Sequence, residues 1–193
     1  MKKGLIVVLV IVGALVLIGI SVFSKATGTY DQAVALQENV NNSWGDVQSS
    51  YQRRADLVPN LVATVQGAAN NEKEILVQVT QARAGITEAT TPEQMELMGR
   101  KINTAINLAF ERYPEIRSTQ NFAELQSQLE GTENRINVAR DRYNDSVAAY
   151  NTYIRGFWKR IYLGWIGGAD EFPRKDSFSA KAGSEDAPEV RFE

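Results

Sequence analysis

A chain of 193 residues with no cysteine, no histidine and a formal charge of −2 closes off much familiar chemistry. The missing cysteines remove disulfides, thiolate nucleophiles and cysteine-bound zinc, and the missing histidines remove the commonest general base and metal ligand. Lys and Arg are spread along the chain in short clusters only, so nothing asks for a nucleic acid or another polyanion as partner.

The first element is apolar. Residues 4–23 carry no charge and consist of Leu, Ile, Val, Ala, Gly and Phe, with Ser21 the exception. At ~1.5 Å per residue this run covers ~30 Å, the thickness of a hydrocarbon core. It exceeds the ~7–15-residue apolar region of a cleavable signal, and no clean A-x-A site follows, so an uncleaved anchor is expected. Lys2 and Lys3 precede it and Lys25 alone follows closely. The positive-inside rule then places the N-terminus in the cytoplasm and the remainder outside. Setting Lys2 and Lys3 aside from the net −2 leaves about −4 on that remainder. Gly13 and Gly19 are not four apart, so the span lacks a GxxxG pairing face and reads as a tether.

From Tyr30 onward the apolar period is helical. Trp44, Tyr51, Val58 and Val65 recur every seven residues, with Val40, Val47, Arg54 and Leu61 in the companion position. Pro59 removes the partner of the Ala55 carbonyl and predicts a kink, yet the stripe keeps phase, so one continuous helix is expected. The helix is expected to weaken near Gly67–Asn71 and resume with Ile75, Val79, Ala82 and Ile86. Thr91 as N-cap, Pro92 at the first helical position and Gln94 three residues on predict a new helix start. That helix carries Met95, Met98, Ile102, Ala105 and Ala109 and ends near Tyr113–Pro114. The last long helix begins around Thr119–Asn121. Phe122, Leu129, Ile136, Tyr143, Tyr150 and Phe157 mark one core position, and Leu125, Thr132, Ala139, Ser146 and Tyr153 the other. Strand-type alternation is absent. After about Phe172 the composition turns polar and predicts a flexible or loosely docked tail.

The run Gln52–Arg53–Arg54–Ala55–Asp56–Leu57–Val58–Pro59–Asn60–Leu61–Val62, with Trp44 before it, resembles the hallmark of the LemA family. The second half is similar too: Tyr113–Pro114, Phe122, Leu125–Gln126, Leu129, Thr132–Glu133–Asn134–Arg135–Ile136, Ala139–Arg140, Tyr143–Asn144 and Tyr150–Asn151, with a closing Pro188–Glu189–Val190–Arg191–Phe192. The resemblance implies a bacterial membrane-anchored protein with a four-helix, up-and-down soluble domain. It transfers no enzymatic activity or ligand, and it links members to membrane zinc metalloproteases or envelope processes. This chain departs from the family's Phe-Pro pattern at Phe157–Trp158, so the last helix is expected to run on into Trp165.

Arg54 is the sharpest local anomaly, because an unpaired guanidinium at a core position would cost several kcal/mol. Glu133, Asn134, Asp56 and Glu72 are candidate partners. Three readings stay open: an ion pair that fixes helix register, a carboxylate- or phosphate-binding site, or a side chain reaching the rim. The stretch Asp56 to Asn60 with Pro59 is a capped kink or a ligand site. The Tyr143–Asn144 and Tyr150–Asn151 repeat reads as packing with hydrogen-bonded hydroxyls. Phe157, Trp158, Ile161, Tyr162 and Trp165 share a helical face, with Lys159, Arg160 and Arg155 near it. This is an interfacial membrane helix or a protein contact.

The expected fold is all-α: a transmembrane helix, then an antiparallel up-and-down bundle of long, coiled-coil-like helices. Its parts are a stub and anchor at 1–24, a bundle at 25–170 and a tail at 171–193. No catalytic residue, cofactor or metal site is expected, although carboxylate or serine–lysine chemistry stays open in principle. The expected function is a non-enzymatic, self-associating interaction or scaffold protein of the cell envelope. A ligand- or stress-responsive regulator of a membrane protease is the alternative. Expected partners are the bacterial inner membrane, with a second contact at 157–165, a second copy of the chain, and another envelope protein.

Overall fold

A computed structural model describes residues 2–63, 73–112, 120–168 and 170–179. Among these the fold is all-α: α1 (Lys2–Ala63), α2 (Lys73–Glu88), α3 (Pro92–Arg112), α4 (Gln120–Ile154) and α5 (Phe157–Ile166), with no strand. The expected weakening at Gly67–Asn71, the helix end at Tyr113–Pro114, Glu72 and the closing Pro188–Phe192 run lie outside the described residues.

Helix α1 passes through Pro59 without a break, as its unbroken apolar phase requires. Its first part is long and apolar enough to cross a membrane, and none of that stretch is buried. The large side chains from Leu5 to Ile20, and Phe23, lie open, which no core helix of a soluble protein allows. The start of α3 follows its signature closely. The Gln94 N–H donates to Thr91 Oγ1 at 3.3 Å, and the Gln94 side chain accepts from the Thr90 N–H at 2.9 Å. The return bond lands one residue earlier than in the usual capping box.

The described chain divides into two compact units. One comprises residues 1–44 and 145–175. There α1 and α4 run antiparallel: Asn39 and Ser43 meet Ser146, and Thr29 meets Tyr153. Ala26, Ala33 and Val40, seven apart, are buried on α1, and Val147, Tyr150 and Ile154 are buried on α4 in the same unit. The other unit comprises residues 45–144 and the segment that begins at Asp176. It is an up-and-down four-helix arrangement. Gln48 to Ile86 and Asp56 to Arg83 set α2 antiparallel to α1. Arg54 to Asn103 sets α3 parallel to α1, and the Arg54–Glu133 and Tyr51–Gly99 contacts close the ring. Its core is filled by Val47, Val58, Val79, Ile86, Met95 and Ile102, each fully buried. Burying such a side chain contributes ~1.5–3 kcal/mol.

The last helix does not run on to Trp165. Gly156 adopts φ −57, ψ 133 and separates α4 from α5. Its N–H bonds three residues back to Tyr153, the tight closing bond of an ending helix, and its carbonyl starts α5 by accepting from Arg160 at 2.8 Å. Glycine is the residue least committed to helix after proline, so a break here needs no proline at position 158. As a result Phe157, expected at a core position, is 73% exposed.

Candidate functional site

The densest polar cluster forms around Arg54. Its place in the α1 repeat turns the guanidinium inward, where its side chain is only 12% exposed. Three groups on two helices answer it. Glu133 of α4 forms the ion pair, Asn103 of α3 accepts from Nε at 3.0 Å, and the Leu129 carbonyl accepts from the guanidinium at 3.3 Å. That carbonyl also accepts the Thr132 hydroxyl at 2.8 Å. Of the four candidate partners, Glu133 is brought to Arg54. Asp56 instead pairs with Arg83 of α2 at 2.9 Å on an exposed face, where an ion pair contributes little. Asn134 lies exposed.

Two turns away on α4, Arg140 repeats the arrangement. It donates to Glu96 of α3 at 2.7 Å and to the Ser179 carbonyl at 3.4 Å, and its guanidinium lies 4.6 Å over the Phe178 ring. Tyr51 lines one cleft with both arginines. Burial pushes its phenol above the ordinary tyrosine range; Arg140 opposes that shift and Glu96 adds to it. Gly99 is required opposite: a Cβ there would lie 2.5 Å from the Tyr51 ring. The ring therefore packs directly on the α3 backbone.

Two clefts flank the Arg54–Glu133 pair. One of about 430 Å³ is bounded by Tyr51, Glu96, Asn103, Arg140 and Ser179. The other, about 680 Å³, opens toward Ile106, Phe110, Gln126 and Leu129. The lining offers guanidinium donors, carboxylate acceptors, an amide and a phenol, a set suited to holding a small polar molecule. Among the described residues no lysine lines either cleft. Among the described residues no three carboxylates converge on a possible metal position.

The tyrosine–asparagine repeat does more than pack. Residues 173–179, within the segment expected as a tail, lie along α4 and are held by it. In one unit Tyr150 donates to the Pro173 carbonyl at 3.0 Å, while the Asn151 amide gives to the Lys175 carbonyl at 2.8 Å and takes from the Lys175 N–H at 3.0 Å. In the other, Tyr143 donates to the Asp176 carbonyl at 3.0 Å, and Asn144 makes the same two-way pair with Phe178 at 3.2 and 2.8 Å. Each asparagine acts as a substitute peptide group. Phe178 is buried edge-on against Tyr143, 5.5 Å between ring centres. Residues 180–193 lie outside the described residues.

Of the remaining candidates, Pro59 is half-buried within α1 and Asn60 is exposed. Phe157, Trp158, Tyr162 and Trp165 come together on α5 as a chain of ring contacts, centres 5.2, 6.5 and 6.3 Å apart. Residue-level reading of the sequence missed Asn103, Glu96 and Arg140, and it took Asn144 and Asn151 as part of a packing repeat without seeing their bonds to the backbone of residues 175 and 178. The asparagines had a signal, since both follow a core tyrosine at a spacing of seven.

A sequence model described as the LemA family matches residues 43–192. The chain is similar to Protein LemA of Metamycoplasma hominis, 24% identical over 135 residues, which is 68% of this chain and 62% of that protein. The match thus spans less than two thirds of the relative's length.

Proposed function

We propose a function from one premise, that the chain belongs to the LemA family: it is a non-enzymatic, membrane-tethered interaction or scaffold protein of the bacterial cell envelope. It works by presenting a stiff helical surface and by associating with further copies of itself. The observation that carries this reading is the Arg54 cross-link. The groups best suited to chemistry in the bundle, Arg54, Glu133, Arg140 and Glu96, are engaged with one another across neighbouring helices. That use holds helices in register. The outward faces of α2, α3 and α4, where Val77, Leu97 and Val138 are exposed, are the surfaces offered to a second copy.

The anchor enters with its N-terminus in the cytoplasm and the bundle outside the inner membrane, by the lysines before the span. Crosslinking of the full chain in membranes, followed by identification of the products, tests the proposal. Linked copies or a linked envelope protein are expected. A strict monomer by light scattering in detergent, with no crosslinked partner, would sink it.

One observation favours a second reading, a ligand-responsive regulator of a membrane protease. The cleft of about 430 Å³ beside Tyr51 and Arg140 has room and polarity for a small molecule. Native mass spectrometry of the full chain separates the two. A retained small molecule that disappears in Arg54→Met, with helix content intact, would replace scaffolding by sensing.

A further inference from the structure

We propose that α5 is an interfacial helix that docks on the bilayer at the level of the lipid headgroups, giving the chain a second membrane contact beside its span. The inference rests on the anchor reading of residues 4–23, and every contact it is argued from lies within the unit that contains them.

Height decides the matter. The chain enters α5 just after Tyr153, whose hydroxyl donates to the Thr29 carbonyl at 3.3 Å. It leaves α5 at Gly167, where an added Cβ would lie 3.0 Å from the Tyr30 ring. Immediately afterwards Glu171 accepts from the Tyr30 hydroxyl, and Phe172 packs edge-on to the Tyr30 ring at 5.4 Å. Both ends of α5 are thus fastened to one turn of α1. A helix with both ends at one level along α1 lies across it. If α1 crosses the bilayer, α5 runs along the bilayer surface.

That level can be placed. Thr29 and Tyr30 stand about 10 Å beyond Phe23, the last residue of the apolar run. The headgroup layer is roughly 5–8 Å deep on each side of the hydrocarbon core, so this level lies just beyond its outer edge, within reach of a ring on α5 turned toward the span. Packing begins lower still, since Ala26 is 3% exposed, about one turn past Phe23. Among the described residues of this unit, α5 is thus the turning point nearest the apolar run, before residues 173–175 return along α4.

The surface of α5 suits that position. Leu163 points into the unit and is buried, while Phe157, Trp158 and Trp165 are 73%, 64% and 70% exposed. Tryptophan and tyrosine settle at the headgroup level, where the ring is apolar and its polar edge stays wet. Arg155 and Arg160 next to them in the chain are exposed, as is Lys25 on α1, and Lys159 lies over the Tyr153 ring at 3.8 Å. Asp31, Asp170 and Glu171 offset part of that positive charge, so insertion of the rings is the main drive and attraction to anionic lipid the lesser one.

The absence of cysteine supplies the test. Gly164 on α5 is exposed, and a side chain there would meet nothing; the same holds for Gly13, Gly28 and Gly45 along α1. Spin labels on Gly13→Cys, Gly28→Cys and Gly45→Cys, in full chain reconstituted into phosphatidylcholine–phosphatidylglycerol vesicles, form a depth ruler read by oxygen and a water-soluble nickel chelate. A Gly164→Cys label is expected to match Gly28 or lie deeper, with an oxygen-to-nickel ratio several-fold above that of Gly45. A Gly164 ratio equal to that of Gly45 would overturn the proposal, as would exclusion of both reagents, the mark of a protein cover. The unlabelled chain gives a second reading, because two of its three tryptophans lie on α5. Brominated lipid is expected to quench most of its emission, and loss of only a minor part would count against docking. Failure of the Gly13 label to read as hydrocarbon would instead break the anchor reading itself.

Discussion

The two units join α1 to α4 with different chemistry. In the unit that carries the apolar span, the links are short and neutral: Ser43 and Ser146 share a hydrogen bond at 2.8 Å, Asn39 donates to Ser146, and Tyr153 reaches a backbone carbonyl. In the other unit the link is a guanidinium that ties three helices, with open clefts on either side. Small hydroxyls and alanines leave little volume to fill, so that unit packs on Ala26, Ala33 and Ser43. An arginine needs a wider gap and several acceptors, and the space left over is the cleft. The polar groups chosen for cross-linking therefore decide where room for a ligand exists.

The largest expected effect tests the charged link. Glu133→Ala leaves a mostly buried guanidinium with only Asn103 and a carbonyl, and should cost ~2–3 kcal/mol in urea unfolding. Arg54→Met should cost about 1 kcal/mol or less, because the Glu133 left behind is 47% exposed and reaches water. Equal losses for the two would mean that burial of the arginine is not what makes the link costly to break. Next come the asparagines. Asn151→Ala should free the Lys175 amide to exchange and Asn144→Ala that of Phe178, each at a local cost of ~1–2 kcal/mol. Unchanged protection in both would show that residues 173–179 are held by something else.

Alkaline titration should weaken both units, and more gently. Burial raises Tyr51 and Tyr150, burial with Asp176 and Glu93 raises Tyr143, and the Glu171 hydrogen bond with burial raises Tyr30. Each folded phenol keeps a proton that the unfolded chain releases near pH ~10. Their stabilisation is therefore whole below that pH and is lost as pH climbs through 10 toward the folded values. Phenolate absorbance should show these four lagging; simultaneous release of all seven tyrosines would contradict it. The smallest effect belongs to the neutral link. Ser43→Ala with Ser146→Ala should stay within ~0.5 kcal/mol, since both partners leave together, whereas Ser146→Ala alone should cost ~1 kcal/mol. A large loss in the double variant would erase the contrast between the units.

Much of this was legible in the chain. Leu129, Ile136, Tyr143 and Tyr150 announce a core by their spacing alone, and Arg54 stands out because it occupies a position meant for leucine or valine. Glu133 was among its candidate partners, yet choosing it over Asp56 needed three dimensions, because both lie within reach of plausible helix faces. Asn103 and Arg140 carried no such signal: polar residues on helices look alike until a neighbour turns toward them. The break at Gly156 was missed because heptad phase carries across it, and phase reports which face is apolar, not whether the backbone is continuous. Docking of residues 173–179 was hidden for a plainer reason. Hydrogen bonds to backbone groups leave no trace in side-chain composition.

That mode of docking has a consequence for variation along the segment. Asn144 and Asn151 read only main-chain N–H and C=O groups, and every residue but proline presents the same pair. Phe178 is the buried side chain of the segment, while Arg174, Asp176 and Ser177 face outward. The outward positions can therefore be rewritten, or carry a phosphate or a changed charge, without unfastening the segment. The molecule holds there a strip of surface whose electrostatic character can drift independently of the fold beneath it.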